Sequence, residues 1–188
     1  MTQAAALIII DMQQGMRSDA LPPRNNPAAE DTMAHLHAAW REAGLPIVSV
    51  RHISRSPTSV FAPGQPGVQF QQRFQPLEHE HVVEKNVPDA FINTGLERWL
   101  LVRGIRDVVI VGVSTNNSVE STARTAGNLG FTTMVVSDAT FAFEKTDFNG
   151  TLRTADEVHA MSLANLHGEF AEVMTCVEVL QRCGLPGA

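Results

Sequence analysis

The chain is poor in cysteine: its 188 residues contain only Cys176 and Cys183, both near the end. Two such thiols neither frame a disulfide scaffold nor show zinc-ligand spacing with a histidine pair, which makes a reducing, cytoplasmic compartment the default expectation. It also lacks any lysine- or arginine-rich run. Acidic residues outnumber basic ones 20 to 14, for a net charge of -6, which argues against a nucleic-acid surface. No segment reaches the roughly 18 consecutive apolar residues of a membrane span. The apolar start, Ala4 to Ile10, has no basic residue before it and ends at Asp11. It therefore reads as a first strand rather than a secretory leader. There is no internal repeat and no low-complexity tail. What remains is ordinary for a globular protein, 44% hydrophobic and 18% charged, and is read as one domain over residues 1–188.

Strand and helix signals alternate along the whole chain. Ala4–Ile10, Ile47–His52, Val82–Glu84, Val108–Val111, Thr133–Val136 and Ala171–Thr175 are rich in β-formers. Between them, Asn26-Pro27 reads as an N-cap with proline in the first turn. The helix it opens runs to Gly44 and buries Met33, Leu36, Trp40 and Ala43. Asn93 is expected to cap a helix that carries Leu96, Trp99 and Leu100 and stops at Gly104. Asn117–Leu129 is closed by Gly130, and Thr154-Ala155-Asp156-Glu157 fits a capping box for a helix ending at His167-Gly168. A short helix ends the chain. Six β-rich runs separated by helices imply an α/β fold with a parallel sheet covered on both faces. Residues 54–81 break the pattern with four prolines and no periodicity, as a lid, an oligomer contact or a plain surface loop would.

The densest signal is Val108-Val109-Ile110-Val111-Gly112-Val113-Ser114-Thr115-Asn116-Asn117-Ser118-Val119-Glu120. It reads as a strand, a tight turn and a helix start, with Ser118 where unpaired N–H groups and a positive dipole end are presented. Asp11 and Lys85 also follow predicted strands. In an open parallel sheet that edge binds ligands. An acid, a cation and a hydroxyl gathered there can accept a proton, hold charge and attack. Taken singly, each has a plainer role: turn residue, solvated lysine, N-cap.

Their shared placement sits within a wider pattern. Ala6-Leu7-Ile8-Ile9-Ile10-Asp11-Met12-Gln13, Val83-Glu84-Lys85, Gly112-Val113-Ser114-Thr115-Asn116, Val119-Glu120-Ser121-Thr122-Ala123-Arg124, Gly130-Phe131 and Val136-Ser137-Asp138-Ala139 occur in this order over nearly the whole chain. Together they resemble the isochorismatase-like cysteine hydrolases, which include nicotinamidases, carbamoyl-amide hydrolases and isochorismatases. The resemblance implies a three-layer α/β/α, Rossmann-like fold with a six-stranded parallel sheet. It implies an Asp–Lys–Cys triad whose first two members are Asp11 and Lys85. It also implies a cis peptide at Val113–Ser114, whose N–H would form an oxyanion hole with that of Ser118. A homodimer or homotetramer is implied as well.

The chain departs from this pattern at the nucleophile, where Ser118 stands in place of cysteine. A neighbouring cation and a helix dipole can ionise a thiol, whereas a serine hydroxyl needs a base during attack. Asp11 serves as that base only if burial raises its pKa. Ser–Lys pairs catalyse acyl transfer elsewhere, but they need a neutral lysine, which Asp11 opposes. The site is therefore read as hydrolysing a small amide, ureido or related C–N bond. One alternative is vinyl-ether cleavage with Asp11 as general acid and no covalent intermediate. That route wants arginines converging on a dicarboxylate, with Arg51, Arg55 and Arg73 as candidates. Another is an inactive ligand-binding or assembly homologue in which Asp11 and Lys85 are a structural ion pair.

Gln14 and Asn116 are candidates to orient a small-molecule substrate, and Phe91 to line its pocket or pack in the core. Phe141, Phe143 and the polar Glu144–Gly150 loop are candidates to close the site. Some relatives bind zinc after the second strand. Here His52 is followed by Ile53-Ser54-Arg55, and His79 and His81 read as surface, so neither metal nor cofactor is assigned.

Overall fold

A run of five apolar residues, Ala6–Ile10, forms strand β1, buried along its whole length in the computed structural model, which describes residues 5–187. Ala4, the first residue expected in this strand, lies outside that range. Helix α1 (Ala29–Glu42) and strand β2 (Ile47–His52) follow, then β3 (His81–Lys85), α2 (Leu96–Val102) and β4 (Asp107–Val113). A π-helical turn, Thr115–Val119, feeds α3 (Glu120–Asn128), which leads to β5 (Thr132–Phe141). A two-stranded antiparallel hairpin, β6 (Lys145–Thr146) and β7 (Leu152–Arg153), precedes α4 (Ala155–Leu166), β8 (Glu172–Met174) and α5 (Cys176–Cys183).

The main sheet has six strands in the order β3-β2-β1-β4-β5-β8, every neighbouring pair parallel. Because side chains alternate across a strand, β1 supplies both faces of the core. Leu7 and Ile9 join α1 and α5 through Met33, Leu36, Trp40, Val179 and Leu180. Ala6, Ile8 and Ile10 join α2 and α3 through Leu96, Leu100, Ala123 and Ala126. The chain moves outward from β1 to β3, then returns to place β4 on the other side of β1. That reversal makes the β1/β4 boundary a topological switch point, where an open parallel sheet leaves a crevice beyond its strand ends.

Several local expectations are corrected. Asn26 is not an N-cap. It has a φ of 45°, and its amide donates to the carbonyls of Ser137 at 2.9 Å and Thr140 at 2.8 Å, so it ties the loop before α1 to β5. Helix α1 starts after Ala28 instead, and Ala43 is exposed past its end. Asn93 likewise takes a left-handed conformation, while the Thr94 hydroxyl accepts from the Leu96 N–H at the start of α2. The capping box at Thr154 forms as its spacing requires, and a second one forms at Thr175 with Glu178. His81 is not plain surface: its ring stacks on Trp99 with centroids 4.4 Å apart.

Candidate active site

Three chain segments converge beyond the C-terminal edge of the sheet. Asp11 leaves β1 with a φ of 54°, a conformation that Asp tolerates better than most residues. Lys85 is the last residue of β3. Ser118 lies in the π turn after β4 rather than in the first turn of α3. The Lys85 ammonium donates to Asp11 Oδ2 at 2.7 Å and to Ser118 Oγ at 3.2 Å. All three are buried, with exposures of 2% for Asp11, 3% for Lys85 and 6% for Ser118.

Asp11 Oδ1 is buried and has no hydrogen-bond partner among the described residues. Burial raises the Asp11 pKa above its ordinary 3.8, and the Lys85 ammonium and the Ser118 hydroxyl only partly offset this. The carboxylate is thus a stronger base than a solvated one, with one oxygen bound to the cation and the other uncommitted. His52, at the end of β2, feels both charges. Burial and then Lys85 push its pKa down, so its imidazole is neutral near pH 7.

The turn that carries Ser118 is held from several sides. Gly112, with a φ of 120°, lies so close to β1 that a Cβ would overlap the Ile10 carbonyl. The Val113–Ser114 peptide is cis. The Ser114 carbonyl accepts from the N–H groups of Asn117 at 3.0 Å and Val119 at 3.2 Å, which closes the wide turn. Helix α4 clamps it from outside. His159 Nδ1 and Thr115 Oγ1 are 2.8 Å apart, and the Ser162 hydroxyl reaches the Thr115 carbonyl at 2.9 Å and Glu120 Oε2 at 2.7 Å.

The other expected residues are placed differently. Gln14 is exposed, and among the described residues its amide reaches the Phe70 carbonyl at 3.4 Å. The adjacent Gln13, not singled out from sequence, is fully buried. Its side chain donates to the carbonyls of His52 at 3.0 Å and Val68 at 2.9 Å and accepts from the His52 N–H at 2.7 Å. It therefore pins β2 and the long loop to the residue pair following Asp11. Its only signal in the sequence is a polar residue just beyond an apolar strand. Residues 54–81 act as a wall rather than a plain surface loop: Gln71 N–H donates to the Met12 carbonyl at 3.0 Å, and Val68, Phe70 and Phe74 are buried.

Phe91 packs in the core against Phe131, 5.8 Å between ring centroids. Phe141 is core too, with Phe143 edge-on to it at 5.8 Å and the Arg24 guanidinium 4.0 Å from its ring. Asn116 faces a groove of about 890 Å³ on the α4 side, together with Glu120 and Ser162. A second groove, of about 630 Å³, borders Lys85 and is lined by Ile53, Arg55, Pro57, Pro63 and Asn86. The three candidate arginines are committed to other partners: Arg51 pairs with Glu84, Arg55, which lines that second groove, reaches Asn86 at 2.8 Å, and Arg73 pairs with Asp31 at 2.5 Å.

Comparison with known proteins agrees with this architecture. Residues 5–178 match the Isochorismatase domain. An uncharacterized isochorismatase family protein of Bacillus subtilis, YrdC, is 38% identical over 180 residues, covering 96% of each chain. Nicotinamidase 3 of Arabidopsis thaliana is 31% identical and covers 93% of this chain and 86% of its own. Among solved structures, an isochorismatase-family protein of Chromobacterium violaceum superimposes with a TM-score of 0.93 at 48% identity, covering 96% of this chain and 94% of its own. A shared domain over nearly the full length, on the same sheet, leaves one assignment: the chain belongs to the isochorismatase family of hydrolases.

Proposed function

We propose that this protein hydrolyses a small amide or ureido C–N bond, with Ser118 as nucleophile, Asp11 as proton acceptor and Lys85 as the cation that holds them together. The observation that carries this reading is the position of the Lys85 ammonium, 2.7 Å from Asp11 Oδ2 and 3.2 Å from Ser118 Oγ. The relative named as a nicotinamidase supports an amide as the substrate class. In the reaction, Ser118 Oγ attacks the carbonyl carbon and its proton passes to the Asp11 carboxylate. The backbone N–H groups of Ser114 and Ser118 face the developing oxyanion. Asp11 then returns the proton to the leaving nitrogen, and a water molecule, deprotonated by the same carboxylate, cleaves the acyl-serine. Burial of the base favours this sequence, because a serine hydroxyl needs a stronger acceptor than a solvated aspartate.

A second reading, vinyl-ether cleavage with Asp11 as general acid, draws support from the same raised pKa. The pairing of Arg51, Arg55 and Arg73 with other residues counts against its dicarboxylate substrate. The test is hydrolysis of a panel of small amides, ureido compounds, activated esters and vinyl ethers by the wild type and by Ser118→Ala, Ser118→Cys and Asp11→Asn. Loss in Ser118→Ala and Asp11→Asn, with gain in Ser118→Cys, is the expected pattern. Activity that survives Ser118→Ala but not Asp11→Asn selects the vinyl-ether route. Activity indifferent to both overturns the catalytic assignment.

A further inference from the structure

Helix α4 carries two buried polar side chains that the chemistry above does not use, His159 and Ser162, three residues apart and so on one face of the helix. Both reach Thr115, which opens the π turn and is itself fully buried. Ser162 holds its carbonyl at 2.9 Å and His159 its hydroxyl at 2.8 Å. The neighbours of the imidazole fix which way this second bond runs. Burial pulls the His159 pKa below the ordinary 6.5, so near pH 7 the ring is neutral and one nitrogen carries a proton. Asn26 Nδ2 lies 3.4 Å from His159 Nε2, but its two hydrogens are directed to the carbonyls of Ser137 at 2.9 Å and Thr140 at 2.8 Å. Nε2 therefore carries the proton and donates to the Ser137 carbonyl, which also bonds to the ring. Nδ1 is bare and accepts from the Thr115 hydroxyl.

A wide turn needs such a hold. Its hydrogen-bonded ring contains one residue more than an α turn, and single π turns of this kind are rare and collect at functional sites. Tightening it into ordinary α-helix would rotate the residues that follow by about 100°, the angle one residue occupies on a helix. Ser118 Oγ, 3.2 Å from the Lys85 ammonium in the wide form, would swing away from it. We infer that His159 is a positioning residue: through Thr115 it keeps the nucleophile turn wide and so aims Ser118 Oγ at Lys85. This role rests on the catalytic reading above for its purpose, whereas the placement can be measured with no substrate present.

The measurement is alkylation by iodoacetamide of the thiol in Ser118→Cys, followed against pH by mass spectrometry of the peptide that carries position 118. It is made on that parent and with His159→Leu, His159→Asn or Thr115→Val added. Asn brings an oxygen near the place of Nδ1 and still accepts from Thr115, Leu cannot, and Thr115→Val removes the donating hydroxyl. The thiolate is favoured only while the ammonium stays close. The expected result is a low midpoint in the parent and a rise of about one unit or more with His159→Leu and with Thr115→Val. On the acid side that is about a tenfold loss of rate, most of which His159→Asn should recover. A cooperative melt verifies that each variant folds, and Thr115→Val, which keeps the side-chain shape, decides the matter if His159→Leu does not. Folded variants that melt lower without moving the midpoint overturn the proposal, because that is the signature of a merely structural histidine. So does an Asn variant displaced as far as the Leu variant, or a parent thiol that ionises at the ordinary value of about 8.5. The expected shifts in a protein inactive on every compound of the substrate panel would uphold the placement and fail the catalytic reading alone.

Discussion

Asp11 and Lys85 are separated by one βαβ passage and the long loop that joins β2 to β3, and their meeting can be measured without any substrate. The perturbation is a double-mutant cycle of Asp11→Asn, Lys85→Met and both together. Asn accepts the left-handed backbone of position 11, where φ is 54°, and Met approximates the lysine stem, so each change removes charge with little change of shape. At the observed 2.7 Å, Coulomb attraction with an effective dielectric constant near 20 is about 6 kcal/mol before desolvation is subtracted. Removing one partner strands the other charge in a buried site, which typically costs about 3–5 kcal/mol. Removing both strands nothing, so the double variant should be much less destabilised than the sum of the singles, with a coupling energy of about 2 kcal/mol or more. Urea unfolding at neutral pH reads all four corners. Lowering the pH should shrink the cost of Lys85→Met, because the stranded Asp11 then takes up a proton. Additive effects, with coupling below about 0.5 kcal/mol, would refute the arrangement.

In Ser118→Cys, the thiol should react with iodoacetamide well below the ordinary thiol range of about 8.5, because the Lys85 ammonium stabilises the thiolate. Adding Lys85→Met should move that limb upward, whereas Cys176, pushed up to about 11 by burial and then Asp138, should stay silent. For the wild type, the acid limb of kcat/KM should lie above pH 3.8, since Asp11 must be ionised to act and burial raises its pKa. Gly112→Ala should destabilise the fold by about 3 kcal/mol or more, measured by denaturant unfolding, since its Cβ would overlap the Ile10 carbonyl. Burial and then the Arg41 guanidinium pull His37 down to about 4, against Glu80. The unfolded chain therefore binds a proton that the folded chain refuses between that pH and about 6.5. Stability should fall by about 3 kcal/mol as the pH drops through this window, and His37→Leu should flatten the slope.

Where sequence reading succeeded and where it failed follows the range of the interactions involved. The box at Thr154 was legible because donor and acceptor lie within one helical turn. Asn26 departs from its cap-like signature because Asn-Pro is a local signal, while its partners, Ser137 and Thr140, are on a distant strand. The turn at Thr115–Val119 reads as ordinary helix from Asn117 in the sequence, because a single wide turn leaves the hydrophobic pattern unchanged. Gln13 and Gln14 look alike in the sequence. Only the register of the loop against Met12 decides that Gln13 is buried and Gln14 exposed.

The sequence by itself determined the layered α/β architecture, because apolar runs with a period of two and helices with a period near 3.6 leave few ways to bury both faces of a sheet. It also brought Asp11, Lys85 and Ser118 to one edge, since each follows a parallel strand. The tertiary structure alone decided that these side chains touch, that Asp11 keeps one oxygen free, and that Phe91 and Phe141 belong to the core. Those outcomes depend on crossovers and registers between segments far apart in the chain, which no local pattern encodes.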